Sequence, residues 1–236
     1  MSGVWVYLAA SPLLWLTLTV FAYVVAVGIF ERLGRTPWVN TVLLATVLIV
    51  PVLLLTGTSY DQYFAGAQFV HFLLGPTTVA LAVPLYRNLA LVRRSLLPIT
   101  VALVAGSLCA AASAVVILLL FQAPTEIVAS IAPKSTTAPI AMELSRSLGG
   151  LPSLTAVLVI LAGITGAIIV TPLMNALRIK NYAARGLAAG VASHGIGTAR
   201  AFQVSEIAGT FAGIAMGLNG AVTSLLVLIW LSLGAA

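Results

Sequence analysis

The chain has 236 residues, of which 61% are hydrophobic and only 7% charged. Soluble domains carry about a quarter charged residues, so this chain cannot cover a water-facing surface and must lie against lipid. Lys and Arg number 11 against 5 Asp and Glu, a formal net charge of +6; cytoplasmic loops account for part of that excess, which only weakly favours an anionic ligand. A β-barrel is excluded because the apolar runs are continuous rather than alternating. The sequence holds no P-loop, no nucleic-acid module and no metalloprotease or hydrolase motif, so it points to no enzyme, no cofactor and no nucleic-acid partner. The single cysteine, Cys109, permits no internal disulfide and no cysteine metal site, and reads as a small packing residue.

Apolar runs fall at 4–30, 38–56, 64–86, 96–121, 125–148, 152–174, 182–204 and 207–233. About 20 apolar residues span a bilayer core of ~30 Å. The first run lacks a basic leader and is followed by "ERLGR", so it is expected to be a transmembrane helix rather than a cleaved signal peptide. The third contains "GPTTVALAVPLYR" and is expected to be a kinked span.

Basic residues group between runs: Arg32 and Arg35; Arg87, Arg93 and Arg94; Arg178, Lys180 and Arg185. The segments 57–63 and 122–126 carry only Asp61 and Glu126. The positive-inside rule puts the three basic groups in the cytoplasm, with the N-terminus outside. If 125–148 crossed the membrane, the last basic group would fall on the wrong face. A re-entrant hairpin at 125–148 repairs the orientation, and Pro133 and Pro139 flanking "KSTT" would break a straight helix there. Run 182–204 breaks at "SHGIGT" and is expected to dip in from the cytoplasm as a second hairpin, which leaves both termini extracytoplasmic.

"LLPITVALVAG" (96–106) resembles "GLPSLTAVLVILAG" (150–163), and each is followed by a broken segment. The fold class that follows is an all-α polytopic membrane protein, with about six transmembrane helices and two re-entrant or broken helical hairpins in an inverted repeat. That is the architecture of a secondary transporter. One membrane domain is expected over 1–236: scaffold helices to residue 95, a helix plus hairpin over 96–148, a second such unit over 150–206, and a last helix over 207–233.

Intramembrane polar and ionisable residues are functional candidates by default, and here they concentrate at the two breaks. Ser135, Thr136 and Thr137 suit an N-cap for the second half of the first hairpin, and Thr198 the same role in the second. Gly195 and Gly197 let backbone approach a ligand. Two half-helix N-termini facing each other suit a carboxylate, and Lys134 and Arg200 add full positive charge. Ser193, His194 and Asn219 complete the expected substrate-binding set. His194, Glu143, Glu206 and His71 are the available proton carriers. Each has a structural alternative. The hydroxyls can bond to their own helices, and Lys134 can snorkel to an interface. His194 can be a buried hydrogen-bonded imidazole, and Arg200 can pair with Glu143 or Glu206. The glycines at 209, 213 and 217 form a small-xxx-small face that reads as packing, as do Gly106, Ala110 and Ala114.

The motifs "GPTTVALAVPLYR", "APKSTTAPIAMELS", "GGLPSLTAVLVILAGITGA", "ARGLAAGVASHGIGTARA" and "FAGIAMGLNG", in this order over 64–225, resemble the LrgB/CidB family. That family includes bacterial holin- or antiholin-like proteins tied to murein hydrolase export, the C-terminal half of the plant plastidial glycolate/glycerate translocator, and bacterial members implicated in pyruvate uptake. The resemblance implies transport of a small monocarboxylate (glycolate, glycerate, pyruvate or lactate), coupled to H+ or Na+, in the inner membrane of a bacterium. A homo-oligomer is expected with it, a dimer by preference, beside an LrgA/CidA-type membrane partner. The alternative that the same resemblance carries is a holin-like oligomeric pore or lysis regulator.

Overall fold

The computed structural model describes residues 11–80 and 82–232. Residues 4–10 of the first apolar run, and with them the start of the expected first helix, lie outside the described residues. Among those described, every regular element is a helix. Five helical segments are long and apolar enough to cross a membrane, and Thr41–Thr56 is a shorter apolar helix. The chain is therefore an integral, multi-pass, all-α membrane protein, as its composition required. It forms two compact units, 1–82 and 83–236. The basic segment that carries Arg87, Arg93 and Arg94 thus belongs with the second unit.

The first unit holds α1 (Pro12–Arg32), α2 (Thr41–Thr56), α3 (Tyr60–Phe72) and α4 (Leu74–Ala80). Proline at the start of α1 needs no N–H donor there. Asn40 caps α2 by accepting from the N–H groups of Val42 and Leu43 at 2.9 and 3.0 Å, and Gly57 ends it in the left-handed region at φ 65°. Trp15 is fully buried and meets Tyr63 edge-on at 6.2 Å. Gly66 admits the backbone of α1 at Pro12 and Leu16, where any Cβ would collide.

The second unit continues with α5 (Ala82–Arg87), α6 (Leu89–Arg94), α7 (Leu96–Leu120), α8 (Thr125–Ile131), α9 (Ala138–Ser147), α10 (Pro152–Ala176), α11 (Tyr182–Val204) and α12 (Glu206–Ser232). Within the expected third run the helix is interrupted by a turn at Leu73, and residue 81 lies outside the described residues. Val92, Ile99, Leu103, Leu187, Val191, Phe211 and Ala215 make its main core. Ile99 and Leu103 share that core with Phe211 and Ala215, and Ser107 touches Asn219, so α7 and α12 run in the same direction.

Both hairpins are present. In the first, α8 and α9 are short and joined by a non-helical segment at 132–137. The last turn of its second half sits at the start of α10, where Thr155 Oγ1 donates to Ser145 Oγ at 2.7 Å; the Leu151 N–H donates to Ser130 Oγ, at the end of α8, at 2.8 Å. In the second, His194 has φ 40° and ψ −130°, a reversal inside α11. Gly197 lies against the Ala189 carbonyl, and Arg185 and Val204 line one cavity. The segments 182–193 and 195–204 are therefore antiparallel. The first of them then runs alongside α12, with Gly186 against Ala208 and Gly190 against Ala212.

Two expectations on packing are corrected. The face that α12 buries runs through Ala208, Ala212, Ala215 and Asn219 and, of the glycine series, takes in Gly209 but not Gly217. Gly217 has nothing within 4 Å of where a Cβ would stand, and Gly209 meets the Phe202 ring. The close approach comes instead from Gly186 and Gly190 on α11, because a glycine there admits an opposing backbone whatever residue that backbone carries. Cys109 is exposed on α7 rather than packed, since Ile99, Leu103 and Ser107 form the buried stripe of that helix.

Candidate functional site

The tip of each hairpin reaches the middle of the crossing helices. His194 Nε2 lies 2.9 Å from the Val159 carbonyl, a buried contact near the centre of α10. A Cβ on Gly163 would stand 2.6 Å from His194 Cε1, and one on Gly166 would strike Ser193 Oγ. Two glycines on α10 thus make the socket into which the second tip fits. The Ser135 carbonyl of the first tip accepts from Asn219 Nδ2 at 2.8 Å, and Asn219 is the central residue of α12.

Asn219 joins the two hairpins. Its side chain is fully buried. Its amide nitrogen also reaches the Val191 carbonyl at 3.4 Å, and its amide oxygen accepts from Ser107 Oγ at 2.5 Å. The break at His194 interrupts the helical ladder just beyond Val191, and a break in the ladder leaves carbonyls that need new donors. One side chain therefore ties hairpin one, hairpin two and α7 at mid-depth.

The hydroxyls divide into two groups. Thr136 Oγ1 donates to the Pro133 carbonyl at 3.0 Å and Thr198 Oγ1 to the His194 carbonyl at 2.8 Å; these are satisfied locally. Ser135 and Ser193 are buried at 1% and 0% exposure, one at each tip, and their hydroxyl oxygens have no partner. Thr223 on α12, one turn past Asn219, is in the same condition. A buried polar group without a partner is uncommon in native structures and marks a place where a ligand, ion or water belongs.

Thr137 occupies the N-cap of α9, but its side chain makes no capping bond. Thr198 does not cap: the second half-helix begins at Gly195, and Thr198 lies in its first turn bonded backwards. Gly195 is exposed at the tip and Gly197 buried between the two halves. Lys134 is half-buried within the 132–137 segment. The N-termini of α9 and of 195–204 both lie at the tips, so their dipoles place partial positive charge at mid-depth.

Arg200 is not part of that cluster. It lies nearly two turns beyond the tip, in a cavity at the basic end lined by Val170, Thr171, Tyr182, Arg185 and Val204 among others. Its Nη1 donates to Gln203 Oε1 at 3.2 Å. Glu143 is exposed and ion-paired with Arg146, three residues on. Glu206 is exposed at the first residue of α12, and His71 is exposed on α3 in the first unit. Among the described residues no group of acidic, histidine and cysteine side chains could hold a metal ion.

Sequence reasoning missed Ser107, Thr223, Gly163 and Gly166. The signal for the glycines was present in "AGITGA", whose small residues align with the second break once the hairpin is folded back; Thr223 carries none, being an isolated hydroxyl in an apolar helix.

Residues 19–233 match the LrgB-like family. The chain is 37% identical over 209 residues to an uncharacterized protein of Haemophilus influenzae, covering 89% of this chain and 90% of that protein. It is 33% identical over 225 residues to the protein YxaC of Bacillus subtilis, covering 94% and 97% respectively. It is 32% identical over 217 residues to the holin-like protein CidB of Staphylococcus epidermidis, covering 92% and 94%. No solved structure gives a significant match.

Proposed function

The chain belongs to the LrgB family, and from that premise we propose that it is a secondary transporter of small organic monocarboxylates of the glycolate, glycerate, pyruvate or lactate type. The observation that carries this reading is the meeting of two hairpins at one mid-helix residue, Asn219, with an unpartnered serine at each tip. Secondary transporters bind substrate where discontinuous helices meet near the bilayer centre, with half-helix N-termini turned towards anionic groups. The substrate carboxylate sits between the N-termini of α9 and 195–204, with Lys134 as its charge partner. Ser135, Ser193 and Asn219 supply hydrogen bonds, and Thr136, Thr137, Gly195, Gly197 and Thr198 shape the walls. His194 is the favoured proton carrier over Glu143, Glu206 and His71, because it alone is buried at a tip; Na+ is the other coupling ion to test. The basic end of the molecule is cytoplasmic and both termini are extracytoplasmic, in a bacterial inner membrane. The working unit is a homodimer beside an LrgA/CidA-type membrane protein.

The second reading is a holin-like pore or regulator of murein hydrolase export, and the similarity to the holin-like CidB proteins of Staphylococcus favours it. Uptake into proteoliposomes separates the two. A transporter gives saturable, competable uptake across a panel of glycolate, glycerate, lactate and pyruvate, strongly reduced by Lys134→Ala. Unsaturable leakage of unrelated solutes, indifferent to Lys134→Ala, would overturn transport and support the pore.

A further inference from the structure

The cavity at the basic end of hairpin two lies apart from the tips. It is framed by α10 (Val170, Thr171), both halves of α11 (Tyr182, Arg185, Arg200, Val204) and the start of α12 (Ala208). Two arginines line it and no acidic residue does.

Arg185 is held in place rather than loosely exposed. Its Nη2 donates to the Thr171 carbonyl at 3.2 Å and to Asn175 Oδ1. Both bonds leave from one nitrogen, and an arginine carries donors on Nε and Nη1 as well. Arg200 comes from the returning half of the hairpin, so the two arginines approach the cavity from antiparallel segments. Tyr182 is the first residue of α11, whose N-cap is Asn181, and the positive end of a helix dipole is added there. The enclosed volume is small, about 20 Å³, so a ligand is gripped at the cavity mouth by its charged head while its body stays outside.

We propose that this cavity is an oxyanion site, taking a carboxylate or phosphate head between Arg185 and Arg200. The proposal does not depend on what the chain carries across the membrane. The same chemistry can come from a dissolved anion or from an anionic lipid headgroup at a basic interface. A site held by arginines offers forked, charge-assisted donors to either.

The test uses the full chain, purified in neutral detergent and separately in nanodiscs. Thermal unfolding is followed with added inorganic phosphate or acetate, against chloride at equal ionic strength. A parallel series compares nanodiscs of phosphatidylcholine alone with nanodiscs containing phosphatidylglycerol. Stabilisation by phosphate or acetate in detergent identifies a dissolved anion, and stabilisation only by phosphatidylglycerol identifies a lipid head; either supports the site. Arg200→Gln is the chief variant, because Arg185 braces α10 and its loss could unfold the chain. Apparent affinity is expected to fall at least about tenfold in Arg200→Gln, as loss of a charge-assisted contact implies. Arg185→Lys is expected to weaken it too, whereas Arg178→Gln with Lys180→Gln, outside the cavity, leaves it unchanged. No response of the unmodified chain to any probe, or an equal response in Arg200→Gln, overturns the proposal.

Discussion

Asn219→Leu removes the amide that ties the two hairpins together while keeping the number and branching of the side-chain heavy atoms. Two buried carbonyls, those of Ser135 and Val191, lose a donor, whereas Ser107 keeps its bond to the Leu103 carbonyl at 2.7 Å. An orphaned buried acceptor costs ~1–3 kcal/mol, which sets an upper range of about 2–6 kcal/mol for the pair. Interhelical hydrogen bonds measured in a bilayer average about 0.6 kcal/mol each, which sets a floor near 1 kcal/mol. The 3.4 Å contact to Val191 is the weaker of the two, so a loss of about 2–3 kcal/mol is expected. At roughly 2–4 °C per kcal/mol for a chain of this size, the unfolding midpoint in detergent should drop by about 4–12 °C. Gly217→Ala on the same helix is the control, because nothing stands within 4 Å of the added methyl and no drop is expected. An Asn219→Leu midpoint equal to that of the unmodified chain would refute the assignment of Asn219 as the tie between the hairpins.

Ser135→Ala and Ser193→Ala remove hydroxyls that have no partner, so each should leave the unfolding midpoint unchanged or raise it slightly while lowering monocarboxylate uptake several-fold. A lowered midpoint with full uptake would mean that these serines serve the fold. Gly163→Val should expel the His194 ring from its socket on α10 and abolish uptake; retention of wild-type uptake would show that the second tip does not need that seat. Gly186→Val sets a side chain against the Ala208 backbone and should cost several kcal/mol through overpacking (about 1–3 kcal/mol or more), read as loss of folded protein by size-exclusion chromatography. In a Cys109→Ser background, a cysteine at position 146 should react with an impermeant reagent from outside only and one at 180 from the cytoplasm only. Cytoplasmic labelling of position 146 would contradict the re-entrant path of hairpin one.

The hairpins were legible because two independent rules met on them. Charge distribution demanded that 125–148 return to its own side, and Pro133, Pro139 and the glycines of "SHGIGT" marked where the chain breaks. The ends of α2 and α11 carry a further signal that was not read: Asn40 and Asn181 cap them through their side chains. The site was less legible. Arg200 lies six residues after His194 and was read as its neighbour. In an antiparallel hairpin every residue beyond the tip recedes towards the mouth, so Arg200 falls level with Ala189 and Arg185. The glycine series of α12 misled in a similar way. A small-xxx-small pattern shows that a close approach is possible on that face, whereas the partner's glycines, Gly186 and Gly190, decide where it happens.

His194 shows what holds the reversal. A non-glycine residue at φ 40° is strained, and such backbone persists only where its surroundings over-determine it. Here the imidazole meets the Val159 carbonyl, its ring fills the space at Gly163, and Asn219 reaches the Val191 carbonyl just before the turn. Towards their open ends the hairpins are fixed to α10 by separate contacts, Arg185 to Thr171 and Asn175 for one and Ser145 to Thr155 for the other. Towards its tip hairpin one is tied to α12 by the donor from Asn219 to the Ser135 carbonyl. On the transport reading proposed above, a motion that opens the middle of the molecule has to break the bonds of Asn219 to Ser135 and Val191.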